Sequence, residues 1–255
     1  MYSILLDYDG TLIRSDNTIE ENDVILLKKI IENNNVCVVS SSSYNSLLKF
    51  KKKYDLNVDL VSTSSGVACI NNRSITNLIP KIVINSLIDE FKDYIYTAFG
   101  EYNEKAYIYK FHDRIKLLYP KKKECIISDV LDFDLPSFTL VVKRTSSMQF
   151  INKVETLELN YRVISSDRYR EVITIFRDSV SKSDAYYLLK DEYANKKIIG
   201  VSDSYYDIDM ISKCDIKIAM LNGDAKLKEI CDYITEYDND HGGAIKLLYD
   251  ICHLK

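Results

Sequence analysis

Residues 2–11 read Tyr2-Ser3-Ile4-Leu5-Leu6-Asp7-Tyr8-Asp9-Gly10-Thr11. The run from Tyr2 to Leu6 is short, nearly all apolar and closed by an acid, the pattern of a strand buried on both faces of a parallel sheet. In open sheets of that kind ligands bind beyond the carboxyl ends of the strands, which is where Asp7 and Asp9 stand. Gly10 lets the backbone bend away, so that both carboxylates address one crevice. Like charges so close raise each other's pKa unless a cation lies between them, and a hard divalent ion with oxygen ligands, Mg²⁺ first, relieves the conflict.

Outward from this segment the periodicity alternates. Residues 20–33 carry apolar side chains at 24, 26, 27, 30 and 31, a helical spacing, and Val36 to Val39 is a second buried-type strand. Ser43 to Lys53 predicts a helix, Asp59 to Ser62 a strand, and Val67 to Ile70 followed by Asn71-Asn72-Arg73 a hairpin. From about residue 79 the rhythm changes. A helix near 84–95 is followed by strand-like runs at 104–111, 114–119 and 138–143, a helix near 147–158, and strands near 161–165 and 171–176. After Lys182 the α/β rhythm returns: helix 183–193, strand Lys197 to Val201, helix Ile208 to Lys213, strand Ile216 to Ala219, and helices at 224–231 and 243–252. The prediction is an α/β, doubly wound parallel-sheet core (residues 1–78 and 179–255) interrupted by an inserted α+β domain (79–178).

Composition fits a globular chain: 255 residues, 46% hydrophobic and 28% charged, with only 7 Gly and 3 Pro, which excludes collagen and leaves little material for a flexible linker. No apolar run is long enough to span a bilayer. The first residues lack a basic segment, a long apolar stretch and a cleavage site. The cysteines at 37, 69, 125, 214, 231 and 252 are scattered singly, with no zinc-type spacing. Free thiols in the cytoplasm are the expectation. A net charge of −4 argues against a general nucleic-acid surface, while a small anionic ligand needs only a local positive site.

Other segments are candidates on position. Ser40 ends the second strand, Lys182 starts the helix after the insert, and Asp203 and Asp207 follow the strand at Lys197 to Val201. Taken singly each has a plainer reading: Ser40 a turn residue, Lys182 a solvated cation, Asp203 and Asp207 N-caps of the helix at 208–213. Their order changes that. Asp7-Tyr8-Asp9-Gly10-Thr11, Ser40, Lys182 and Asp203 with Asp207 resemble, in sequence, the four motifs of the haloacid dehalogenase-like phosphohydrolases. Ser64-Ser65-Gly66-Val67, Ile218-Ala219-Met220-Leu221-Asn222-Gly223 and residues 226–247 resemble segments of the Cof-type subgroup, whose C2 cap is inserted where residues 79–178 lie. Departures are Ser41-Ser42 in place of Gly-Arg, Ser202 in place of a Gly, and Tyr206 in place of an Asn.

The resemblance implies a core with a substrate-selecting cap, and hydrolysis of a small phosphorylated metabolite such as a sugar phosphate. Mg²⁺ would be held by Asp7, the main-chain carbonyl of Asp9, and Asp203. Asp7 would be the nucleophile, Asp9 the acid-base, and Ser40 and Lys182 would bind the transferring phosphoryl group. Gly10, Thr11, Ser41, Asp207 and Asn222 would support it. No nucleic-acid or membrane partner is implied. A phosphomutase, a trehalose- or mannosyl-phosphate-type phosphatase, and a non-catalytic binding protein of the same fold are the alternatives. Lys143, Arg144, Arg168 and Arg170, the insert tyrosines at 94, 96, 102, 107 and 109, His112 and Lys121 to Lys123 read as ordinary surface or sheet residues.

Overall fold

In a computed structural model that describes residues 1–71, 73–102, 105–110, 125–177 and 180–253, the opening run forms β1 (Tyr2–Asp7) at the middle of an eight-stranded sheet. Its other strands, in chain order, are β2 (Asn35–Ser40), β3 (Asp59–Ser62), β4 (Val67–Ile70), β5 (Arg73–Ile75), and, after the insert, β12 (Lys197–Ser202), β13 (Ile216–Ala219) and β14 (Tyr233–Ile234). The spatial order is β14-β13-β12-β1-β2-β3-β4-β5. Six neighbours from β14 to β3 run parallel, and β4 and β5 turn back as antiparallel strands.

Strand β1 is also where the winding reverses: the chain proceeds to β2 and β3 on one side and returns later through β12 and β13 on the other. A crevice opens at such a point beyond the strand ends. Alternation along the central strands buries both faces. Leu5, Cys37, Val39 and Val61 pack with Ala185 and Leu189 of helix α5 (Lys182–Glu192), and the opposite-pointing Ile4, Leu6, Val36 and Val38 are buried as completely. Helix α1 (Glu21–Asn33) inserts Leu27 and Ile30 and packs on α8 (Gly243–His253), as its 3.6-residue spacing requires. Helix α2 (Tyr44–Tyr54) is capped by Ser43, whose side chain accepts from the Ser46 N–H, and ends in a left-handed Asp55. The expected α/β core is present.

The chain divides into one unit made of Met1–Ile75 and Val180–Lys255 and another made of Thr76–Ser179. The second unit holds β6 (Ile95–Tyr102), β7 (Lys105–Tyr109), β8 (Cys125–Ile127), β9 (Ser137–Lys143), β10 (Asn160–Ser166) and β11 (Arg170–Phe176) in the order β10-β11-β9-β6-β7-β8, antiparallel except for β7 with β8. Helices α3 (Lys81–Phe91) and α4 (Ser147–Thr156) supply Leu87, Ile88, Phe91, Phe150 and Val154 to a core with Phe138, Leu140, Val142, Ile173 and Ile175. Phe91 and Phe150 meet edge to face at 5.2 Å.

The helix expected near 84–95 needs correction. The helix stops at Phe91, and the next residues turn into β6, because Ile95, Thr97 and Ala98 are taken up by pairing with β9; a short apolar run does not by itself distinguish helix from strand. Strand β8 had no legible signal. The run at 114–119, His112 and Lys121 to Lys123 lie outside the described residues.

The four basic side chains singled out in the insert are occupied locally. Arg170 forks onto Asp167, Arg144 donates to the Asp167 carbonyl, and Lys143 and Arg168 lie over the rings of Tyr94 and Tyr169. Tyr107 and Tyr109 are core residues, whereas Tyr94 and Tyr96 are exposed.

Candidate active site

Past Asp7 the chain leaves the sheet in a tight turn, with the Leu12 and Ile13 N–H groups both donating to the Tyr8 carbonyl at 3.0 and 3.1 Å. Gly10 at its tip has φ +74°, and a Cβ there would sit 2.5 Å from Asp203 Oδ2. Glycine is needed twice over, for the left-handed backbone and for the approach of the Asp203 carboxylate. The Gly10 carbonyl is in turn gripped by Asn222 Nδ2 at 2.8 Å. Gly223 lets the same loop lie against the Asp203 backbone, where an added Cβ would meet the Asp203 carbonyl at 3.1 Å, and Asp224 N–H donates to that carbonyl at 2.8 Å. Segments far apart in sequence are thereby fixed around one point.

At that point stand Asp7, Thr11, Asp203, Asp207 and Lys182. Thr11 Oγ1 lies 3.1 Å from Asp7 Oδ2 and 3.1 Å from Asp203 Oδ1, so the two carboxylates converge. Lys182 Nζ is 2.6 Å from Asp7 Oδ1 and 2.8 Å from Asp207 Oδ2. The lysine is the first residue of α5, whose start is fixed by a capping box between Ser181 and Asp184. A cation is mildly unfavourable at a helix N-terminus; two carboxylates within 3 Å outweigh that effect. Lys182 is therefore no solvated surface lysine, and its side chain is 17% exposed.

The N-cap reading of the acids fails as well. Asp207 makes no capping bond to α6 (Ile208–Ile211); its Oδ2 accepts from Lys182 and, at 2.6 Å, from Ser202 Oγ. Ser204 caps the 3₁₀ turn Tyr205–Asp207 that precedes α6, its side chain accepting from the Tyr206 N–H.

The electrostatics follow from burial. Asp7 is 3% exposed, and its pKa rises from 3.8 to about 7, chiefly because burial penalises the charged form, with Lys182 opposing and Asp207 and Asp203 adding to the rise. Burial also works against the charge on Lys182, but Asp7 and Asp207 outweigh it and hold the ammonium above its ordinary value. One ammonium serves three carboxylates, a formal charge of −2 in the crevice.

Three observations test whether a divalent cation suits this set. The Thr11 hydroxyl has one proton and faces two carboxylate oxygens, so one of them lacks a donor. Asp207 Oδ1 is buried with no hydrogen-bond partner. Asp7 bears a raised pKa that only a nearby positive charge would relieve. Among the described residues no three His, Cys, Asp or Glu side chains gather at metal-binding spacing. Two carboxylates that converge on one hydroxyl suit a hard cation such as Mg²⁺, which keeps several of its waters.

The other expected residues lie around this cluster. Asp9 is exposed, and its Oδ2 accepts from Ser40 Oγ at 3.1 Å and from Ser42 Oγ at 3.0 Å. Ser40 is fully buried, and its hydroxyl points to Asp9. Ser41 Oγ is exposed, 3.4 Å from Thr63 Oγ1. Asn222 braces the turn after β1, and its Oδ1 accepts from the Asn239 N–H at 3.2 Å. In sequence Ser42 and Ser202 are only departures from the family pattern, Asn239 is not singled out within the segment 226–247, and Asp224 has no signal. Each acts through a contact that sequence spacing does not reveal.

Comparison with known proteins identifies the family. The haloacid dehalogenase-like hydrolase family profile matches residues 4–248. The 5-amino-6-(5-phospho-D-ribitylamino)uracil phosphatase of Bacillus subtilis is 23% identical over 262 residues, covering 95% of each chain. Among solved structures, a Thermotoga maritima protein superposes with a TM-score of 0.73 at 21% identity, covering 97% of this chain and 96% of its own. A haloacid dehalogenase-like hydrolase from Bacteroides thetaiotaomicron gives 0.70 at 17%, covering 98% and 99%. With a profile match that runs from β1 into α8, the chain belongs to the haloacid dehalogenase-like hydrolase family.

Proposed function

We propose that this protein is a Mg²⁺-dependent phosphatase that hydrolyses a small phosphorylated metabolite through an aspartyl-phosphate on Asp7. The observation that carries the reading is the convergence of Asp7 and Asp203 on Thr11, with Lys182 Nζ 2.6 Å from Asp7. Unit charges 4 Å apart repel by about 4 kcal/mol at the effective dielectric of a protein site, so a carboxylate meets a phosphate dianion only if positive charge intervenes. Mg²⁺, held by Asp7, Asp203 and the main-chain carbonyl of Asp9, would supply charge neutralisation for the phosphoryl oxygens.

Lys182 supplies the rest of that charge and keeps the Asp7 carboxylate oriented. Asp7 attacks phosphorus, the bond from phosphorus to the leaving oxygen breaks, and Asp9 gives that oxygen its proton. Asp9, now ionised, takes a proton from the water that attacks the aspartyl-phosphate, which releases inorganic phosphate and restores Asp7. Asp207 and Ser202 hold Lys182 in place, and Gly10, Thr11 and Asn222 hold the turn.

A substrate with a polyol or sugar phosphate is the class we favour, in keeping with the phosphoribitylamino compound named for the Bacillus subtilis relative. The test is release of phosphate from p-nitrophenyl phosphate and from a panel of sugar, polyol and nucleotide monoesters, with Mg²⁺ or with EDTA. Mg²⁺-dependent release that is lost in Asp7→Asn is expected. A protein that binds such esters without turning them over would be the non-catalytic alternative.

A further inference from the structure

We infer that Ser42 is a positioning residue for the acid-base step: it fixes the Asp9 carboxylate so that Oδ2 is anchored and Oδ1 is the oxygen that exchanges the proton with the leaving group. This rests on the proposed phosphatase reading and adds a residue to it. Ser42 stands where the family resemblance leads one to expect an arginine, so its contact belongs to this chain's own sequence.

The two hydroxyls that reach Asp9 both land on the same oxygen: Ser40 Oγ at 3.1 Å and Ser42 Oγ at 3.0 Å from Oδ2. A carboxyl oxygen that accepts two hydrogen bonds has both lone pairs engaged, and in the protonated acid it takes the carbonyl role, leaving the O–H to the other oxygen. Every hydrogen bond to the Asp9 side chain among the described residues falls on Oδ2. Asp9 is exposed, so without those anchors its side chain would rotate among rotamers and present either oxygen.

The donors are themselves fixed from behind. Ser42 N–H donates to Ser40 Oγ at 2.8 Å, which leaves the Ser40 hydroxyl proton for Asp9. The Ser42 carbonyl accepts from Ser62 Oγ at 2.7 Å. Ser62 Oγ also accepts from the Ser65 N–H at 3.3 Å, and Ser65 Oγ accepts from the Tyr44 N–H at 3.0 Å. Ser40 and Ser62 are fully buried and Ser65 is nearly so. This serine lattice ties the ends of β2 and β3 to the start of α2, and Ser42 joins the buried Ser40 in extending a hydroxyl to the Asp9 carboxylate.

A general acid matters most when the leaving group is a poor one, because an alkoxide must be protonated as it departs whereas p-nitrophenolate need not be. The test compares one alkyl phosphate and p-nitrophenyl phosphate in wild type, Ser42→Ala and Ser42→Thr, with Mg²⁺ present. For Ser42→Ala, kcat on the alkyl ester is expected to fall about tenfold more than on p-nitrophenyl phosphate, with KM little changed. Ser42→Thr, which retains the hydroxyl at a half-buried position, restores the alkyl-ester rate. Equal losses on both esters, or no loss on either, overturn the inference, since a merely structural role does not depend on the leaving group. If wild type hydrolyses neither ester, it is the phosphatase reading that fails. Should Ser42→Ala unfold, the ratio of the two rates in Ser42→Thr and Ser42→Cys decides, and an unchanged ratio in both despite the weak thiol donor overturns the inference.

Discussion

Asp7 and Asp9 are two residues apart in one turn, yet their surroundings are opposite. Asp7 is buried, bonded to an ammonium and pushed up to a pKa of about 7; Asp9 is exposed and bonded only to hydroxyls. Asp7 is the last residue of β1 and Asp9 lies beyond it in the turn, where left-handed Gly10 leaves the space of a Cβ to the Asp203 carboxylate. A buried carboxylate among charges is suited to attack and to hold a cation. An exposed one with a single anchored oxygen is suited to give and take protons. The division of labour is set by environment, because the side chains are identical.

That contrast is broken most severely at Lys182. Lys182→Met removes the positive member of a buried cluster, which typically costs about 3–5 kcal/mol, and the same change should lower kcat by about 10²- to 10³-fold. Chemical denaturation and steady-state kinetics measure the two losses. The prediction fails if the variant is as stable and as active as wild type.

Asp9→Asn separates the regions instead. Turnover of an alkyl phosphate should drop about 10²- to 10⁴-fold, while the melting temperature stays close to that of wild type, since the side chain is exposed. A large loss of stability would contradict the contrast just drawn. Gly10→Ala comes next: left-handed backbone costs a non-glycine residue about 1–2 kcal/mol, and the methyl would displace Asp203, so weaker Mg²⁺ binding by calorimetry is expected alongside lower stability.

The smallest effect is a pH dependence. In the folded protein Asp7 holds its proton up to about pH 7, against an ordinary value of 3.8, so between those values the native state binds more protons than the unfolded chain. As far as this group is concerned, stability of the metal-free protein should therefore be level below about pH 4, fall as pH rises toward 7, and level off above it. Asp7→Asn should flatten that slope. Added Mg²⁺ should stabilise wild type more at pH 7.5 than at pH 5.5, because the cation requires the ionised carboxylate. Thermal melts across that range, with and without Mg²⁺, supply the check.

Much of this was legible in the chain itself. The apolar run before Asp7, the 3.6-residue spacing of α1 and the return of the α/β rhythm after Lys182 each follow from local periodicity, and local periodicity survives folding when burial agrees with it. What stayed hidden depends on partners distant in sequence. Asn239 reaches the Ile13 carbonyl across 226 residues and sits in no pattern that announces a turn to be braced; Asn222 was expected among the supporting residues from the resemblance, but its partner, the Gly10 carbonyl 212 residues away, was not. Ser42 and Ser202 looked like losses, because a departure from a family pattern says which group is missing and nothing about what the new hydroxyl finds. Strand β6 was misread because its neighbour β9, not its own composition, decides that it is extended.

The most direct test of the central claim is mass spectrometry on enzyme quenched in acid during turnover of a phosphate monoester. A phosphoryl group on the peptide that contains Asp7, absent from the Asp7→Asn protein, is the predicted result. Label on a different residue, or undiminished turnover in Asp7→Asn, would contradict it.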